Sequence, residues 1–245
     1  MSLGSLTPVF GFIGITGGCV FALDQVQKYR LSERRKERLS KVREKVFMDF
    51  CIGEKFAGRV IFGLYSDEVP LTCENFIQLA CGYKFLDERI LGYKNTQIHR
   101  VVPNRLLFGG DVLTGMGASL GVSIFGKRFP DENYAVPFVQ DGDLAMASDG
   151  PNTNASQFLV TLAPMPRLQG QFVCFGTVIS GMKTLRAVAD TTTKMGRLVH
   201  VVTIANAGIY DEASPPELPN VKDPNLSQEE WLRSSSLQSK MQLPV

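Results

Sequence analysis

The spacing of hydrophobic and polar positions changes along the chain. Residues 2–23 carry no charge, and Pro8–Leu23 is strongly apolar. At 1.5 Å per residue such a run is long enough to cross a hydrocarbon core about 30 Å thick, so residues 1–23 are expected to form a transmembrane anchor. From Val46 to Tyr210 the pattern becomes short apolar stretches punctuated by glycine. Val46–Ile52 alternates with period two and Gly58–Tyr65 follows it, which predicts a hairpin turning near Gly53–Lys55. Cys73–Gly82 reads as a helix with Thr72 as N-cap and Gly82 as C-cap. Further strands are expected over Thr96–Val101, Leu106–Phe108, Leu144–Ala147, Phe158–Leu162, Val173–Val178 and Val199–Ile209, and a second helix over Met182–Asp190. Many short strands with two helices predict a mainly β domain, a closed barrel, over residues 46–211.

Charge places the ends. Residues 28–45 hold nine Lys/Arg against Glu33, Glu37 and Glu44, a net of +6. Good helix formers dominate 24–46, so 24–45 is expected to be a basic juxtamembrane helix. A basic flank stays on the side where the chain is made, which puts the bulk of the protein on the cytosolic or matrix side. The flank suits lipid phosphates better than nucleic acid, because Tyr29 alone interleaves its charges. Residues 46–245 carry 17 Lys/Arg against 20 Asp/Glu, a net of −3. The expected partners are therefore membrane lipid through residues 7–23 and other subunits, with no nucleic acid. Gly14 and Gly18 offer a small-residue face for another helix.

The chemistry-bearing residues are sparse. His99 and His200 are the two histidines, and both read as structural or peripheral. Cys19, Cys51, Cys73, Cys81 and Cys174 form no CxxC pair, which argues against a zinc site and fits free thiols in a reducing compartment. The glycine pairs at Gly109–Gly110 and Gly115–Gly117 are turn glycines, since no phosphate-binding GK[ST] follows. No metal or cofactor is expected. Residues 212–245 form a Pro-rich extension, extended at first through Ser214–Pro219. A short helix is expected after it, with Ser227–Glu230 as capping box and Leu226 and Trp231 as a hydrophobic staple.

One ordered set of motifs is specific. Phe76, Gln97–Pro103 (QIHRVVP), Phe108–Asp111 (FGGD), Phe129–Asn133 (FPDEN), Leu144–Ala147 (LAMA), Gly150–Phe158 (GPNTNASQF) and Phe175–Gly176 occur in sequence. Over about residues 46–211 the chain resembles the cyclophilins, peptidyl-prolyl cis-trans isomerases. The resemblance implies an eight-stranded antiparallel β-barrel with two capping helices, and a site that binds proline-containing peptide segments. An X–Pro bond isomerises slowly, over a barrier of about 18–20 kcal/mol. A catalyst must favour the twisted imide, whose nitrogen regains its lone pair. A guanidinium aimed at that lone pair gives a charge-assisted hydrogen bond of roughly 1.5–3 kcal/mol, about ten- to a hundredfold in rate. The resemblance assigns that role to Arg100. It assigns substrate binding to Gln157, Leu106, Ala147, Leu159, Leu168 and Ser148.

The departures bear on activity. Arg105 replaces an aromatic wall of the proline pocket, and Phe108 replaces the glutamine that helps place the arginine. Ser148 stands for an asparagine and Leu159 for a phenylalanine. Arg167 stands for the tryptophan that marks strong cyclosporin binding, and Phe172 for a histidine. Two functions remain open: a cyclophilin-like subunit of a larger membrane complex with a degenerate site, or an active membrane-tethered isomerase assisting protein folding. The expectation is the former, with activity weak or lost. The expected location is the mitochondrial inner membrane with the domain in the matrix, the alternative being the endoplasmic reticulum with a cytosolic domain.

Overall fold

A computed structural model of the chain describes residues 32–192 and 198–216. The chain divides into two units, Met1–Ser40 and Lys41–Val245. In the first, residues 32–40 are helical (α1), with Lys36 paired to Glu33 one turn away at 2.9 Å. The basic helix expected to reach residue 45 ends here: Ser40 Oγ donates to Glu37 O, and Glu44 and Lys45 pair in a strand. Among the described residues no helix is long and apolar enough to cross a membrane. The expected anchor at 1–23 lies outside the described residues, as does the expected helix after Ser227.

The second unit is an antiparallel barrel. Its strands are β1 (Glu44–Ile52), β2 (Lys55–Leu64), β5 (Gln97–Ile98), β6 (Arg100–Val102), β7 (Leu106–Gly109), β8 (Asp143–Met146), β9 (Phe158–Thr161), β10 (Cys174–Ser180) and β11 (Val202–Ile209). A separate two-stranded ribbon joins β3 (Tyr83–Lys84) and β4 (Ile90–Leu91). The large sheet runs β5-β11-β1-β2-β10-β8-β9-β7-β6. Its two outermost strands are halves of one segment, Gln97–Val102, interrupted at His99. Ile98 pairs with Val202 on one side and Arg100 with Phe108 on the other, so the segment closes the sheet on itself. Counted as one, β5 and β6 complete eight strands. The strand expected over Thr96–Val101 is thus split, because one segment serves two neighbours. The last strand begins at Val202, which leaves His200 exposed before it and not within a strand as expected.

Period-two alternation sends Val46, Met48 and Phe50 of β1 into the main core with Phe62, Leu64, Leu144, Met146, Phe158 and Val160. The opposite face of β1 is buried as well. There Asp49 takes both Nε and Nη2 of Arg59, at 2.6 and 2.8 Å, and Arg59 lies 4.4 Å over the Phe47 ring. Burial pushes the Asp49 carboxyl up, against the pull of Arg59. Arg59 also donates to Pro216 O, and Lys45 pairs with Glu212, so residues 212–216 return over this face.

Helix α2 (Pro70–Cys81) buries Phe76 among Phe62, Tyr93, Phe158 and Phe175, with ring centroids 5.0–6.2 Å apart. It starts before the expected Thr72 cap, because Pro70 presets the first turn. The orphan amides of Leu71 and Thr72 donate to Glu132, at 3.0 and 2.7 Å. The expected C-cap, Gly82, stands at φ +89°. Helix α3 (Met182–Asp190) has its expected limits and packs on β2, where Thr184 occupies the space beside Gly58.

Candidate functional site

The site builds from one hairpin. β6 and β7 flank a turn in which Asn104 takes φ +58° and the Arg105 amide donates to Val102 O at 2.9 Å. This turn fixes the register Arg100↔Phe108 and Val102↔Leu106. Directly opposed residues share a face, and alternation then separates two layers. Val101 and Leu107 point into the main core, while Val102, Leu106 and Phe108 point the other way.

That second layer is a distinct apolar cluster. Leu106, Leu159 and Leu168 are buried in it with Val136, Phe138 and Ala145. Phe108, Phe172 and Met165 are only half-buried and pack against it. Three of the expected substrate-binding residues therefore meet, but they sit under the surface. Val42 and Val102 pack half-buried against it as well.

Arg100 is exposed, and its guanidinium carbon lies 5.1 Å from the centroid of the Phe108 ring. Phe108 thus supplies a platform where a hydrogen-bond acceptor was expected to be lost. The opposition of positions 100 and 108 follows from a three-residue loop, Pro103–Arg105, that centres the hairpin on Asn104.

Gln157 is buried and its Nε2 donates to Ser119 O at 2.5 Å. Ala147 joins it through the backbone, its amide donating to Gln157 O at 2.9 Å. Ser148 follows β8, half-buried. Ala147 and Ser148 lie outside the apolar cluster of Leu106, Leu159 and Leu168.

Ser119 is held by a residue that sequence reasoning had treated only as part of a motif. The buried Asp111 carboxylate accepts from the amides of Leu113, Thr114, Gly117 and Ser119, each at 3.1 Å, and from the hydroxyls of Thr114 and Ser119. Burial alone would raise its pKa, but the hydrogen bonds from Thr114, Ser119 and Leu113 outweigh that and hold the carboxyl below the usual range. The same loop crosses the His99 ring at Gly117, where a Cβ would come within 2.2 Å of the imidazole and φ is +86°. Burial pushes the His99 imidazole below its ordinary value, and its Nδ1 has no hydrogen-bond partner among the described residues.

Arg105 and Arg167 are exposed, each next to a buried leucine of the cluster, Leu106 and Leu168. Neither they nor Arg100 form an ion pair among the described residues. No group of His, Cys, Asp and Glu suited to a metal occurs among the described residues. Cys73 is buried, and burial pushes its thiol up to about 12, so it is inert at neutral pH.

Comparison with known proteins agrees with this geometry. Residues 47–209 match the family described as cyclophilin type peptidyl-prolyl cis-trans isomerase/CLD. Over 165 residues, 66% of the chain, the sequence is 41% identical to the human protein named "Probable inactive peptidyl-prolyl cis-trans isomerase-like 6". The chain spans about half of that relative's length, 53%.

Proposed function

The chain belongs to the cyclophilin-type peptidyl-prolyl cis-trans isomerase family, and from that membership we propose that its barrel binds proline-containing segments while isomerising them weakly or not at all. The contact between Arg100 and Phe108 carries this reading. A phenyl face holds a guanidinium by its quadrupole, worth about 0.5–1 kcal/mol at an exposed site, but does not fix the direction of its N–H bonds. Rate enhancement needs donors already aimed at the twisted imide. With Leu106, Leu159 and Leu168 buried beneath Phe108 and Phe172, the proline ring meets a shallow apolar face. The relative's name, "Probable inactive", supports the same reading. Exchange NMR on an Ala-Ala-Pro-Phe peptide with the full chain in detergent tests it. Peptide shifts without faster exchange are expected. Exchange catalysed at the level of an efficient isomerase, and abolished by Arg100→Ala, would favour the active tethered enzyme instead.

We further propose that the protein is a membrane-anchored subunit of a larger complex, in the mitochondrial inner membrane or, alternatively, the endoplasmic reticulum. The uncharged run at 2–23 and the +6 flank support this. Carbonate-washed membranes should retain the chain, and mild detergent should release it in a particle much larger than 27.0 kDa. Release by carbonate alone would overturn the anchor.

A further inference from the structure

Three exposed arginines adjoin residues of the apolar cluster. Arg100 lies over Phe108, Arg105 closes the turn next to Leu106, and Arg167 sits beside Leu168. All three are exposed, and none has an ion-pair partner among the described residues. They do not reflect a generally basic domain, since residues 46–211 carry 14 Lys/Arg against 15 Asp/Glu, a net of −1.

We infer that this face takes proline-containing segments that carry an anionic side chain, Asp, Glu or a phosphorylated Ser or Thr, beside the proline. This rests on the proposal that proline segments bind here. Arg100 is paired with Phe108 across the hairpin, and Arg105 lies in the turn directly before β7, its amide donating to Val102 O. A peptide whose proline ring rests on Phe108 and Phe172 brings a neighbouring carboxylate or phosphate within reach of a guanidinium on either side. The planar fork of Arg pairs with both oxyanion types in a two-pronged manner. A neutral peptide would leave three uncompensated cations around it.

The test measures binding of four labelled peptides to the full chain in detergent by fluorescence anisotropy: Ala-Ala-Pro-Ala, Ala-Glu-Pro-Ala, Ala-phosphoSer-Pro-Ala and Ala-Glu-Ala-Ala. We expect the two anionic proline peptides to bind about tenfold or more tightly than the neutral one, with the advantage falling as salt rises. Ala-Glu-Ala-Ala should bind more weakly than its proline counterpart. The advantage should vanish in the double variant Arg105→Glu, Arg167→Glu, and shrink in Arg105→Gln, Arg167→Gln, with thermal melts confirming that both remain folded. Equal binding of neutral and anionic proline peptides overturns the inference and leaves the proline-binding proposal standing. Failure of proline to add any affinity overturns that proposal itself. Selectivity that survives both double variants also overturns the inference, because the anion is then read elsewhere.

Discussion

Arg100 and Phe108 face each other across β6 and β7, with the guanidinium carbon 5.1 Å from the ring centroid. The pair sets the arginine over an aromatic ring where the resemblance implies a hydrogen-bond acceptor. A ring face attracts the cation without fixing the direction of its N–H bonds. A catalytic arginine needs that direction.

Phe108→Gln should therefore raise isomerisation of an X–Pro peptide by about tenfold, by returning an acceptor that aims the guanidinium. Exchange NMR on wild type and variant gives the comparison. An unchanged rate would place the deficit in the pocket wall at Arg105.

His99 predicts a pH-dependent signature. Burial holds its imidazole below the ordinary value, and the Arg100 charge adds to this, while the Gln97 backbone, Asp111 and Gln157 oppose it. A histidine with a lowered pKa in the folded state takes up protons more readily when unfolded. Its contribution to stability is then full above the unfolded pKa of about 6.5 and declines as pH falls below that value. The melting temperature should drop below about pH 6.5, and His99→Phe should flatten that part of the profile. An equal drop in both proteins would assign it to other groups.

The barrel was readable in advance because its strands are short, alternating and punctuated by glycine, and α3 was readable to the residue. What sequence pattern could not supply was the seam. Gln97–Val102 looks like one strand, yet it pairs with β11 before His99 and with β7 after it. Local pattern encodes which residues face inward, not which neighbour takes the hydrogen bonds. The start of α2 was missed because Pro70 sets its first turn ahead of Thr72, while the carboxylate that takes its first amides, Glu132, lies 60 residues from Thr72. Arg100, Leu106 and Gln157 were singled out as candidates through motifs. The contact of Phe108 with Arg100 needed the hairpin register, and the role of Asp111 needed the path of its loop.

Glu132 caps α2 from a distance, accepting from Leu71 N, Thr72 N and Thr72 Oγ1. Its charge also lies at the positive end of the helix. Glu132→Ala should cost about 1–2 kcal/mol in urea unfolding and leave peptide affinity unchanged. A loss below a few tenths of a kcal/mol would mean that water replaces the carboxylate.

Asp111 links stability to the site. Its carboxylate gathers the amides of Leu113, Thr114, Gly117 and Ser119, and Ser119 O in turn receives the Gln157 amide. Asp111→Asn keeps one acceptor oxygen but removes the charge that strengthens every bond in the loop. Hydrogen bonds to charged groups contribute about 1.5–3 kcal/mol each, so a net destabilisation of about 2 kcal/mol at pH 7 is expected. The pKa of Asp111 is lowered in the fold, so its stabilisation is complete above the unfolded carboxylate value of about 4 and is lost as pH falls below it. The gap between wild type and Asp111→Asn should hence be constant from pH 5 to pH 7 and narrow below about pH 4. With the loop loosened, Gln157 loses its fixed partner, and peptide affinity should fall while hydrogen exchange at residues 113–119 rises. A gap that stays constant into acid, or a loop whose exchange does not change, would show that the Asp111 charge does not hold the loop and that Gln157 is placed by its own strand.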